Sequence, residues 1–368
     1  MTWIRRVTMG LFSLALASSP ALSQVRWPMT EVARFGGSDE GLASFNDIRD
    51  LQIGADGSIW MLDFQTQTLR RFAPDGSPVG QVAREGKGPG ELSNSNGFRR
   101  GPDGRMYVRD HFNARISIFA PDGKVAGQHT YPSSSYGWRW EAAVDAKGRL
   151  HESTSVRRGE KYVPAIVRNA PDFASADTID HPATCTDEPL PPAGIEGRNG
   201  FVGIPYAARP VYTFSVDGAF WCGSSDEYRL RRFPFGATTH DLEITLDVPR
   251  IRVPKAERDS AIKRVEEFLT RIGGPLKPWD KDAVAHDRGP MMGFGSDEKG
   301  RLWVARETAE GLTEFDVWNG SGARIAIVSP GVKLPSFPLF RVYGDRLAAV
   351  ILDENELPTI VVYQFNER

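Results

Sequence analysis

Cysteine is scarce. The 368-residue chain has two, Cys185 and Cys222, and neither belongs to a CxxC pair, which leaves no zinc-ribbon or dithiol redox motif. Charge of one sign is also missing. The 45 Lys and Arg against 47 Asp and Glu give a formal net charge of −2. That excludes a basic nucleic-acid footprint and an acidic disordered tail. The six histidines are scattered. His151-Glu152 lacks the second histidine of the zinc-protease pattern, and no G-x-S-x-G nucleophile elbow occurs. Gly86-Lys87-Gly88-Pro89-Gly90 lacks the phosphate-loop spacing and precedes a strand rather than a helix.

The first residues read as a leader. Arg5 and Arg6 precede the apolar run Val7 to Ala17, and Ser18 to Ser23 supplies small residues before Gln24. A membrane span takes about 20 apolar residues, so this run is too short for one. The pattern is that of a secretory signal over residues 1–23, with 24–368 as the exported, extracytoplasmic domain, periplasmic or secreted. In such a compartment Cys185 and Cys222 either form one disulfide or stay as separate thiols; the bridge is the expectation.

What the chain has is punctuation. It carries 37 glycines and 26 prolines, well above the ~12% usual for the pair. A turn and strand recur as Asp56-Gly57-Ser58-Ile59-Trp60, Asp103-Gly104-Arg105-Met106-Tyr107, Lys147-Gly148-Arg149-Leu150-His151, Asp217-Gly218-Ala219-Phe220-Trp221 and Lys299-Gly300-Arg301-Leu302-Trp303. Gly344-Asp345-Arg346-Leu347 is a degraded sixth copy. Glycine accepts the positive φ of the turn, and a flat side chain three positions later suits packing between neighbouring sheets. A second turn, Ala73-Pro74-Asp75-Gly76 or Ala120-Pro121-Asp122-Gly123, gives four short antiparallel strands per repeat. The first two intervals match a propeller blade of ~40–50 residues, and the next two hold a blade plus an insertion. The expectation is all-β: a six-bladed β-propeller of four-stranded antiparallel blades. The last repeat ends at its third strand, so Met29 to Phe35 is expected to close it.

Residues 86–127 carry Gly86, Gly88, Gly90, Leu92, Asp103-Gly104, Tyr107-Val108, Asp110, Asn113, Arg115-Ile116, Phe119 and Gly123. This pattern resembles an NHL repeat, as does 41–80, and the whole is similar to the exported bacterial six-bladed propeller family. The resemblance implies fold more than activity.

Two insertions, 181–207 and 248–291, occupy blade-to-blade connections, which emerge on one face. The second holds a helix between blades four and five, opened by Pro254, striped with Ile262, Val265, Phe268, Leu269 and Ile272, and ended by Gly273-Gly274. It either packs on the body or walls one side of the axial mouth. Before the third blade, Tyr136, Trp138, Arg139, Trp140 and Glu141 could grip a sugar or peptide, or plug the space between blades. Arg99 and His111 join them as candidate binding residues. Calcium-dependent lactonases of similar shape hold an axial metal, and aligning inner strands on the turns gives Asp50, Gly97, Glu141, Val211, Gly293 and Pro338. Asp50, Asn96 and Glu141 are therefore candidate Ca²⁺ ligands; the alternative is that Asp50 and Glu141 pair with Arg49, Arg99 or Arg139. The leading expectation is a monomeric, non-catalytic propeller without cofactor, binding a protein, peptide or carbohydrate on the inserted face. A metal-dependent hydrolase or lyase is the competing one.

Overall fold

The computed structural model describes residues 25–38, 40–131, 139–191, 193–335 and 339–367; the leader, Tyr136, Trp138 and Pro338 lie outside them. Six antiparallel sheets follow one another along the chain and form a six-bladed propeller. From blade one to blade six the inner strands are Ile48–Ile53, Ser95–Arg100, Ala142–Val144, Pro210–Phe214, Gly293–Ser296 and Phe340–Tyr343.

The repeated turn works as its residues dictate. Gly57, Gly104, Gly148, Gly218 and Gly300 adopt φ between 73° and 83°, a region that costs other residues about 1 kcal/mol or more. The flat residue of each repeat is then buried at a blade junction, and three copies donate back to the turn they follow. Trp60 Nε1 reaches Ser58 Oγ at 3.2 Å, Trp303 Nε1 reaches Asp297 Oδ2 at 2.8 Å, and His151 Nε2 reaches Asp145 Oδ2 at 2.9 Å. His151 thus stands in for a tryptophan, which explains a fully buried histidine without invoking a ligand. The hydrophobic core is correspondingly divided. One cluster fills each junction, for example Trp60, Leu62, Phe98, Val108 and Phe119 between blades one and two.

The N-terminal segment closes the ring. Met29–Gly36 is the outer strand of blade six, paired antiparallel with Pro358–Phe365. A two-residue strand just upstream of it does something the repeat pattern does not announce. Arg26–Trp27 pairs parallel with Arg324–Val328 as a fifth strand of blade five. Trp27 stacks on Phe365 with ring centroids 5.8 Å apart.

The two insertions pack on each other. In the first, the hairpin Gly194–Gly197 and Gly200–Gly203 meets the end of the second insertion's helix, Lys255–Arg271. Asn199 N donates to Ile272 O at 3.0 Å and Leu276 N to Glu196 O at 2.9 Å. Ile195, Ile204, Val265, Leu269 and Val284 form their shared core. The helix ends because Gly273 and Gly274 both take φ of +86°, and Gly274 N donates to Leu269 O at 2.8 Å. Cys185 and Cys222 are bridged, tying the first insertion to blade four. No helix among the described residues is long and apolar enough to cross a membrane.

Candidate functional site

The inner strands surround an axial channel of about 610 Å³, walled by residues of all six blades. Inner strands begin at the end where blade-to-blade connections arrive, so the mouth beside Arg139 and Glu141 shares an end with the insertions. None of the channel-lining residues belongs to 181–207 or 248–291. The helix does not wall this mouth; its apolar stripe is spent on the first insertion's hairpin.

A buried charge network crosses three blades at the channel wall. Asp50 of blade one is fully buried. Its Oδ1 accepts from Arg341 Nη2 of blade six at 2.6 Å and from Leu51 N at 2.9 Å. Its Oδ2 accepts from Phe98 N at 3.1 Å and from Arg99 Nη1 of blade two. Arg99 also donates to Ala142 O at 2.5 Å and to Trp140 O, fastening blade three. Burial alone would raise the Asp50 carboxyl, but Arg341, Arg99 and the Phe98 N–H outweigh it and hold it below the usual carboxylate range. Arg341 is pushed down to about 10, chiefly by burial and against the pull of Asp50, with Arg99 adding to the fall.

These contacts occupy the carboxylate expected to hold a cation. Both Asp50 oxygens already accept two hydrogen bonds each, two of the four from guanidinium groups. A Ca²⁺ ion would have to displace both arginines while entering a positively charged surround. Asn96 is buried and does not line the channel, whereas Glu141 does. Among the described residues no three His, Cys, Asp or Glu side chains group as a metal would require. Asp50 pairs with Arg99 rather than Arg49, which instead bonds Asp47 at 2.7 Å.

The aromatic candidates divide. Trp140 is 1% exposed, and its Nε1 donates to Glu152 Oε2 at 2.6 Å. Arg99 and Arg109 lie 5.7 and 5.9 Å from its ring. It is a plug between blades two and three, not a ligand platform, and leaves the binding set. His111 is brought beside Phe112, outside the channel lining, with its imidazole pushed down by burial and by Arg109. Arg139 and Glu141 do line the channel, as does Arg99.

Sequence reasoning missed Arg341 and Arg100. Arg100 lines the channel with its guanidinium 3.7 Å over the Tyr343 ring. Strand register reveals the missing row. Gln52 pairs with Trp60, Arg99 with Tyr107 and Arg341 with Ala348, each one step inside the pair Ile53–Ile59, Arg100–Met106 or Val342–Leu347. Alignment on turn glycines hides this, because blade six has a shorter hairpin: Val342 pairs with Leu347, where Ile53 pairs with Ile59.

No family model and no curated protein matches the sequence. Among solved structures, the chain is similar to a Bacteroides fragilis protein assigned as exported. Identity is 11%, covering 93% of this chain and 95% of that one, with a TM-score of 0.51. It is also similar to a DUF4221 family member from Bacteroides vulgatus, at 11% identity over 94% of this chain and 99% of that one, with a TM-score of 0.50. The likeness is one of fold. It leaves function to the site.

Proposed function

We propose that the chain is an exported, non-catalytic propeller that holds a small-molecule ligand in its axial channel, entered from the end that bears the insertions. The observation that supports this is the channel itself: about 610 Å³, with a wall contributed by every blade. Ligand pockets are typically concave spaces of ~300–1,000 Å³ with a few convergent polar groups. Among the described residues no histidine or cysteine lines this one, and its aspartates at the far end are already paired: Asp145 with Arg149 at 2.7 Å and Asp297 with Arg301 at 2.6 Å. Such a wall is equipped to hold rather than to react. The bridged Cys185–Cys222 pair fits an oxidising compartment, and the NHL-like pattern of blades one and two fits a binding scaffold.

A thermal-shift screen of sugars, sugar acids, amino acids and phosphate esters tests the reading with Gly295→Leu as control. Gly295 lines the channel, and a Cβ there meets only the Phe340 ring at 3.6 Å, so leucine fits locally and narrows the passage. Compounds that stabilise the wild-type chain should lose their effect in this variant. Equal stabilisation of both would place the ligand elsewhere.

A further inference from the structure

We propose that the axial ligand carries an oxyanion, a carboxylate or a phosphate, received between Arg139 and Arg341. This rests on the channel being the ligand site and adds the chemistry it selects. Four arginines, Arg99, Arg100, Arg139 and Arg341, line the channel. Asp50 is shared between Arg99 and Arg341, so one carboxylate answers two cations. Arg139 makes no hydrogen bond or ion pair with any described residue, and Arg100 makes only its contact with the Tyr343 ring. At this end Glu141 is the one other carboxylate in the wall. The acids at the far end do not offset the excess. Asp145 and Asp297 are paired with Arg149 and Arg301, and Glu298 accepts from Gly344 N at 3.1 Å at that opposite end.

The positive surplus is concentrated where a ligand would enter. Arg139 acts on both Asp50 and Arg341 through space, lowering each, so its charge belongs to the Asp50 cluster rather than to bulk solvent. A half-buried cation without a counter-ion is costly, and a bound anion relieves that cost. Guanidinium forks match the geometry of carboxylate and phosphate oxygens, which gives direction as well as charge. Arg341 is already held by Asp50 Oδ1 at 2.6 Å and by Phe340 O at 2.9 Å, so its remaining donors are presented from a fixed position. Arg139 supplies the second fork, which pairs with no described residue.

The test is isothermal titration of the full chain with glucuronate, inorganic phosphate and, as a neutral control, glucose. At least one oxyanion should bind tenfold or more tightly than glucose. Arg139→Gln should weaken that binding tenfold or more, and Arg139→Lys should restore part of it. The melting temperature of the unliganded Arg139→Gln protein should be no lower than that of wild type, because Arg139 bonds no described neighbour and its removal relieves an uncompensated charge. Response to glucuronate alone assigns a carboxylate ligand, and response to phosphate alone assigns a phosphate monoester. Absence of binding by both oxyanions at about 10 mM overturns the proposal. So does glucose binding as tightly, or oxyanion binding indifferent to Arg139→Gln. In those cases a screening compound rejected by Gly295→Leu keeps the channel as the ligand site. Oxyanion binding undiminished in Gly295→Leu removes the channel itself.

Discussion

Asp50 joins blades six, one and two through a single carboxylate, and the arginines it serves have little else to neutralise them. Removing one member of a buried charge set leaves the others uncompensated, at a cost of about 3–5 kcal/mol. Asp50→Asn should lower the unfolding free energy measured in urea by that order. The pH dependence follows from the depressed carboxyl. Its stabilisation is complete above the unfolded carboxyl value of ~4 and is lost as pH falls through the lower folded value. The wild-type urea midpoint should therefore drop between pH 5 and pH 3, and the variant's should drop less. An equal drop in both would detach Asp50 from acid unfolding. Part of this network could be read from the chain, since Asp50 and Arg99 lie near one another in the aligned inner strands. Arg341 could not, because the tighter hairpin at Gly344-Asp345 shifts the turn against the strand. The burial of Trp140 was one of two readings open for its aromatic stretch, and only its partner was hidden. Its indole is consumed by Glu152, a residue of the neighbouring hairpin that no local pattern connects to it.

Among the elements, the insertions depend most on added fastening. The first is anchored to blade four at one point by Cys185–Cys222, closing a sequence separation of 37 residues. Arg231 adds bonds to Thr184 O at 2.8 Å and Asp187 Oδ1 at 2.5 Å. Because Asp187 is 59% exposed, its ion pairs contribute modestly. Chain-entropy arguments give the bridge up to about 4 kcal/mol for a loop of this length. Cys185→Ser should leave the six blades folded but expose 181–207 to limited proteolysis, with cut sites mapped by mass spectrometry. Cleavage distributed over the blades would show that the bridge supports the ring itself. The helix was legible from its apolar stripe and terminal glycines. Its destination was not, because the stripe names an apolar partner without saying whether that is the propeller body or the other insertion.

For the whole molecule, the repeated turns fixed the number of blades, and the strand missing from the last repeat pointed to Met29–Gly36. The pairing of Arg26–Trp27 with blade five escaped notice, since two residues carry no periodicity. Deleting 25–36 removes the outer strand of blade six, the fifth strand of blade five and the Trp27–Phe365 stack together. A single cooperative transition shifted down by roughly 10 °C or more is expected in calorimetry. An unchanged transition would mean that the ring holds without its clasp. This seam also sets an order of assembly. Arg26 bonds Glu314 across 288 residues of sequence, and its neighbours pair with strands that follow Glu314 in the chain. The earliest part of the propeller to leave the ribosome is therefore the last to find its partners, and the nascent chain must carry an unsatisfied strand until Pro358–Phe365 has emerged.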